Sequence, residues 1–178
     1  MELTGEKIRL RQLSVNDLET LARWNQDAEL QEFVDCNLPT DHHQLKRWYQ
    51  ANVPNRNYQV FAIETVAGRL IGDLELDHID WSRREAELRI RIGEKDCWNL
   101  GLGTEAIQLI FGYILAGKKF NRIYLRVYSF NHRAIHCYLK NGFKQVGILR
   151  RHSPGWKDII LMEIDRAKYQ RSIQFKAS

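Results

Sequence analysis

The chain has 178 residues, 44% hydrophobic and 28% charged, enough to bury one core over residues 1–178 without disulfides or a structural metal. Its formal charge of +5 suits a polyanionic partner such as a nucleic acid, a ribosome or a phosphorylated cofactor, without choosing among them. No apolar run approaches the roughly 20 residues of a membrane span, the start lacks a basic-then-apolar leader, and three cysteines with no Asn-x-Ser/Thr site favour a reducing cytoplasm.

Lys7-Ile8-Arg9-Leu10-Arg11 alternates as a strand does. Ser14 with Asp17 predicts an N-cap, opening a helix through Leu18, Leu21, Ala22 and Trp24. Thr40 is placed as the cap of a second helix carrying Leu45, Trp48 and Tyr49. Three strand segments follow at 58–64, 69–77 and 85–92, with Arg83-Arg84 at the turn before the last. Residues 103–116 predict a helix, apolar nearly all round and so buried against a sheet, closed by Gly117 at the left-handed C′ position. A strand at 121–127 comes next. Asn131 then caps a helix over 134–140, and Asn141-Gly142-Phe143 reads as a Schellman stop. Strands at 145–149 and 158–164 finish the chain. This order gives an α/β fold, a mixed and partly antiparallel sheet flanked by helices.

No Cys-x-x-Cys pair, Gly-x-x-x-x-Gly-Lys loop or Gly-x-Ser-x-Gly elbow is present, which removes the zinc, phosphate-loop and serine-nucleophile patterns. The chemistry lies in residues 90–106, where a strand runs into a short loop, the loop into Gly101-x-Gly103, and the glycines into a helix. Glycines let the backbone approach a ligand, and the free N–H groups of the first helical turn then point at it. Together with the helix dipole they make an anion site whose natural guest is a pyrophosphate. Gly101-x-Gly103-x-x-Ala106 formally fits the dinucleotide fingerprint. That fingerprint expects a tight turn directly off its strand and an acidic residue about 20 positions on. Here a longer loop intervenes and the next strand ends Arg126-Val127-Tyr128.

Residues 98–106, Trp-Asn-Leu-Gly-Leu-Gly-Thr-Glu-Ala, resemble the acetyl-CoA pyrophosphate loop of the GNAT N-acetyltransferase superfamily. Within it they are most similar to the RimJ/RimL-like branch, where a tryptophan commonly holds the first motif position. Residues 131–143, Asn-His-Arg-Ala-Ile-His-Cys-Tyr-Leu-Lys-Asn-Gly-Phe, resemble the family's Asn-x-x-Ala-Ile-x-x-Tyr-x-x-x-Gly-Phe helix. The two blocks, with Ile8-Arg9-Leu10-Arg11 and the element order, carry the resemblance over nearly the whole chain.

The resemblance implies a GNAT-like fold and direct acetyl transfer from acetyl-CoA to a primary amine, with no covalent enzyme intermediate and no metal. It implies that the backbone of Arg91, Ile92 and Gly93 holds the pantetheine arm where the sheet opens. Asn99, Leu100, Gly101, Leu102, Gly103 and Thr104 cradle the pyrophosphate, and Asn131 contacts the cofactor. Tyr138, seven residues on and on the same helix face, lies near the sulfur and donates a proton to the leaving thiolate. Glu87 is the expected base, because family members often place a glutamate on this strand. Arg126 stands where RimI-type enzymes carry their glutamate, so that mechanism is not expected.

The acceptor stays open among a polyamine, an aminosugar and a protein N-terminus, and a homodimer stays open too. A membrane is not expected, nor is nucleic acid required. A non-catalytic acetyl-CoA-binding module is the alternative of another class. Asp73, Glu75 and Asp77 alternate along one strand and share a face. They could hold a polycation, but a solvated strand face is the favoured reading. Asp35 lies where related spermidine acetyltransferases recognise substrate. His132 and His136 have i, i+4 spacing but no third ligand for a metal.

Overall fold

A computed structural model describes residues 2–34, 39–117, 120–150, 157–167 and 169. Strands β1 (Glu2–Thr4) and β2 (Ile8–Gln12) precede helices α1 (Leu18–Gln26), α2 (Ala28–Gln31) and α3 (His42–Asn52). Strands β3 (Gln59–Thr65), β4 (Leu70–Asp80) and β5 (Glu85–Ile92) follow, then α4 (Leu102–Phe111), β6 (Arg122–Tyr128), α5 (His132–Lys140), β7 (Lys144–Leu149) and β8 (Ile159–Asp165). The described strands form one sheet in the order β1-β2-β3-β4-β5-β6-β8-β7. Every pairing is antiparallel except β5 with β6.

Strand alternation sorts the side chains between two layers. On one face Phe61, Leu74, Leu76 and Leu88 pack with Ala106, Ile107, Ile110 and Phe111 of α4. On the other, Tyr58, Val60 and Ala62 pack with Leu21 and Trp24 of α1 and Leu45 of α3. The middle of the sheet is therefore covered on both sides while β7 stays exposed, and no helix among the described residues is long and apolar enough to cross a membrane.

The expected elements are present, with ends moved by a few residues at most. Ser14 and Asp17 do open α1, through a short 3₁₀ turn in which the Asp17 carboxylate accepts from the Ser14 N–H (2.7 Å) and hydroxyl (2.9 Å). Asp41 rather than Thr40 caps α3, its carboxylate taking the Gln44 N–H at 2.8 Å. Gly117 is not left-handed (φ −70°), because α4 runs out through a wider π-helical turn at Gly112–Ala116. The Schellman stop stands: Gly142 has φ +88°, the Phe143 N–H bonds the Tyr138 carbonyl and the Gly142 N–H bonds the Leu139 carbonyl.

One feature of the topology positions the site. β5 and β6 pair only from Glu85/Arg122 to Glu87/Tyr124. Beyond that β5 stays with β4 and β6 stays with β8, so the two strands part and the sheet opens.

Candidate active site

The opening is a cavity of about 400 Å³. Its walls are Leu88–Ile92 and Arg126–Tyr128 of the parted strands, the glycine loop from Trp98 to Thr104, α5 from Asn131 to Lys140, and Asp73 and Glu75 from β4.

The glycine loop is shaped by backbone conformation. Asn99 (φ +63°) and Gly101 (φ +81°) are both left-handed, and the first backbone bond of α4 is Glu105 N–H to Gly101 carbonyl at 3.1 Å. The N–H groups of Leu102, Gly103 and Thr104 thus have no carbonyl one turn back. A side chain at Gly101 would project into open space, while one at Gly103 would meet Cys137 Sγ and Ile92 Cγ1 at 3.8 Å. This is a cradle of free donors with room above it, and it fits a pyrophosphate. Asn99, Gly101, Leu102, Gly103 and Thr104 line the cavity, whereas Leu100 points out and is 55% exposed.

Of the three positions expected at the opening, Arg91 and Ile92 line the cavity and Gly93 does not. Arg91 pairs with Asp73 in the β4 ladder, and the Gly93 N–H is bonded to the Ile71 carbonyl at 2.8 Å. A side chain at Gly93 would enter the ring of Trp24, which explains the glycine there by packing. Asn131 lines the cavity but spends its side-chain oxygen on capping α5, accepting from Ala134 N–H at 3.2 Å. Tyr138 is in the cavity wall, 6% exposed, with its ring edge-on to Phe143. Burial, with a smaller effect of Cys137, pushes its hydroxyl pKa well above the ordinary tyrosine value.

The other wall is a lattice of charge. β4 and β5 pair so that Asp73 faces Arg91, Glu75 faces Arg89 and Asp77 faces Glu87. Arg91 bonds Asp73 at 2.7 and 2.8 Å and the Asn25 side chain at 2.6 Å, and lies over the Trp24 ring. Arg89 pairs with Asp77 at 3.1 Å and approaches Glu75 at 3.8 Å. These carboxylates are not a freely solvated strand face: Asp73 is only 7% exposed, and Glu75 and Asp77 are half-buried.

Glu87 is 4% exposed, accepts from Arg126 Nε at 2.8 Å, lies 3.3 Å from His78 Nδ1, and is absent from the cavity wall. The carboxylates that do line it are Asp73 and Glu75. Burial first, then the neighbouring Asp73 charge, pushes the Glu75 pKa up to about 7, against the hydrogen bond from Tyr58 and the charges of Arg89 and Arg91. A carboxyl group so placed holds or releases a proton near neutral pH.

Glu75 was legible only as one of three alternating acids. The signal that finds it is the facing strand, where Glu87-x-Arg89-x-Arg91 answers Asp73-x-Glu75-x-Asp77. Asp35 lies outside the described residues. His132 and His136 are both exposed on α5, and no group of three His, Cys, Asp or Glu among the described residues is arranged to hold a metal ion.

Comparison with known proteins gives the family and the fold. The acetyltransferase (GNAT) domain family matches residues 7–144. The spermidine N(1)-acetyltransferase of Vibrio cholerae is 25% identical over 168 residues, 93% of this chain and 96% of the relative. That of Escherichia coli K12 is 27% identical over 146 residues, 82% of this chain and 77% of the relative. The crystal structure of spermidine N-acetyltransferase from Vibrio cholerae in complex with CoA and spermine superposes with a TM-score of 0.84 at 25% identity, covering 93% of this chain and 99% of that one. A dodecameric structure of the same enzyme gives 0.79 at 25% identity, covering 93% and 97%.

Proposed function

The chain belongs to the GNAT acetyltransferase family, and on that premise we propose that its acceptor is a small, flexible primary amine of the polyamine class, received on the Asp73–Glu75 side of the opening. The reaction is acetyl transfer from acetyl-CoA to an amine. Acetyl-CoA supplies the thioester carbonyl that the amine attacks. The N–H groups of Leu102, Gly103 and Thr104 hold its pyrophosphate, and the backbone N–H of Ile92, whose carbonyl is taken by the Trp98 indole, aligns its pantetheine arm.

An alkyl amine with a pKa near 10.4 is about 0.1% neutral or less at pH 7, so attack requires that its proton be taken. Glu75 takes it, directly or through one water, because a carboxylate with a pKa near 7 is matched to that task. Glu87 instead holds Arg126 in place. Tyr138, kept protonated by burial, gives its proton to the departing thiolate.

The observation that carries this reading is the half-buried Glu75 carboxyl, poised near neutrality in the same cavity as Tyr138. The spermine complex of the Vibrio cholerae enzyme supports the polyamine class. The RimJ/RimL-like reading, with a protein α-amine as acceptor, has Trp98 at the first motif position and the +5 charge in its favour. We take residues 1–178 as one domain, in keeping with relatives matched over 93% of the chain. A reducing compartment fits the free thiols of Cys97 and Cys137.

Thiol release from acetyl-CoA, followed with polyamines, aminosugars, amino acids and short peptides, tests the reading. Turnover greatest with polyamines supports it; turnover confined to peptides favours the protein acceptor. Silence across the panel, with acetyl-CoA still raising Tm, favours a non-catalytic binder.

A further inference from the structure

The Arg133 guanidinium lies 3.6 Å from the centroid of the Trp98 ring and 5.5 Å from that of Phe33. Trp98 opens the glycine loop, and its ring is fixed in place because its indole N–H donates to the Ile92 carbonyl at 2.7 Å. Arg133 sits in the first turn of α5, two residues after the Asn131 cap. The contact therefore joins the loop to α5, and both residues line the cavity.

Arg133 differs from the other cavity arginines. Arg89, Arg91 and Arg126 each pair with a carboxylate. Among the described residues, none lies within ion-pair distance of Arg133, and Glu29 acts on it only from longer range. The guanidinium is nevertheless partly withdrawn from water against two aromatic rings, which lowers its pKa. Arg133 is exposed on α5, so its guanidinium is open to an incoming anion, and the free N–H donors of Leu102, Gly103 and Thr104 line the same cavity.

We propose that Arg133, placed over the Trp98 ring, binds the phosphates of acetyl-CoA from the α5 side, opposite the N–H groups of α4. This rests on the reading that the opening takes acetyl-CoA. A guanidinium presents a planar fork that matches phosphate oxygens two at a time, and the contact with the ring holds it in place before the ligand arrives. Arg133 is then a cofactor-affinity residue, remote from the reacting carbonyl.

Titration calorimetry of the full chain tests this with acetyl-CoA, acetyl-dephospho-CoA (which lacks the 3′-phosphate) and S-acetylpantetheine (which has no phosphate). Arg133→Ala is expected to weaken acetyl-CoA binding at least about tenfold and leave S-acetylpantetheine within about twofold. It is also expected to flatten the salt dependence of acetyl-CoA binding. Arg133→Lys recovers part of the loss. An equal loss with acetyl-dephospho-CoA places the arginine on the pyrophosphate, and a loss confined to acetyl-CoA places it on the 3′-phosphate; either supports the assignment. Equal weakening of S-acetylpantetheine, or no weakening of acetyl-CoA, overturns it. Wild-type protein that binds no acetyl-CoA overturns the cofactor reading as well, which separates the two failures.

Discussion

The two walls of the opening are built in different ways. The α4 wall comes from one contiguous segment, Trp98 to Thr104, and its donors are main-chain N–H groups set by two left-handed residues and a helix start. The β4 wall draws Asp73 and Glu75 from one strand, Arg89 and Arg91 from the next, Tyr58 from the edge of β3 and Asn25 from α1. One wall depends on local conformation, the other on strand register and on contacts from neighbouring elements. The first can be damaged at a single residue without disturbing the fold. The second couples stability to chemistry, because its charges are half-buried and hold one another.

Breaking the α4 wall has the largest expected effect. Gly103→Val puts branched carbon where the pyrophosphate rests, and binding of acetyl-CoA is expected to fall by about 100-fold or more. A first side-chain carbon at Gly103 meets only ordinary contacts at 3.8 Å, so Tm should change little. Calorimetry with a melting curve checks both halves. Normal binding means the anion site is not at this helix start.

On the β4 wall, Glu75→Gln removes the base while keeping a hydrogen-bond acceptor for Tyr58. Turnover is expected to fall by about 10²-fold or more, within the usual range for a lost general base. The rise of rate with pH around 7 is expected to vanish with it. Glu87→Gln, outside the cavity wall, should retain that rise and lose less activity, since it disturbs the contacts to Arg126, His78 and Arg89 and not the proton acceptor in the cavity. Stopped-time assays from pH 5 to 9 decide between them. A pH profile altered by Glu87→Gln and not by Glu75→Gln returns the base to Glu87.

The same contrast explains what could be read from the chain. Asn131, Gly142 and Phe143 mark the ends of α5 because capping needs particular residues at fixed offsets, and the structure places them so. Gly101 and Gly103 are visible for the same reason. The role of Asp73 and Glu75 was hidden, since alternating acids look identical whether water or facing arginines surround them. Only the register with β5 distinguishes the cases. The short α2, opened by an Asp27 cap on the N–H groups of Glu29 and Leu30, was missed because four residues carry no periodicity. At Gly93, whose backbone the resemblance assigns to the pantetheine arm, the absence of a side chain has a packing reason that the sequence does not display: it makes room for Trp24.

Tyr138→Phe sharpens the comparison from α5. Turnover should drop at least about tenfold while the affinity for acetyl-CoA stays near wild type, because the hydroxyl acts on the leaving group and not on the phosphates. A fall in affinity that matches the fall in turnover instead assigns the hydroxyl to binding.

The smallest expected signal is a change of a few degrees in how Tm varies with pH, and it tests whether the β4 wall stores strain. Glu75 has a pKa near 7 when folded, against an ordinary value of 4.5 in the unfolded chain. Between those values the folded protein holds a proton that the unfolded chain has released, so this group makes stability fall as pH rises from about 4.5 to about 7. Below that window both states are protonated, above it both are ionised, and the contribution levels off. Asp17 acts in the opposite sense: the Arg11 and Ser14 hydrogen bonds outweigh its burial and hold its pKa below the usual aspartate value, so it destabilises the fold only in acid. Wild type and Glu75→Gln share that contribution, and subtracting their melting curves isolates Glu75. The variant is expected to gain stability relative to wild type as pH rises through the window. A difference that does not vary with pH means the carboxyl ionises as it does in water, and the argument for Glu75 as a base poised by burial then fails with it.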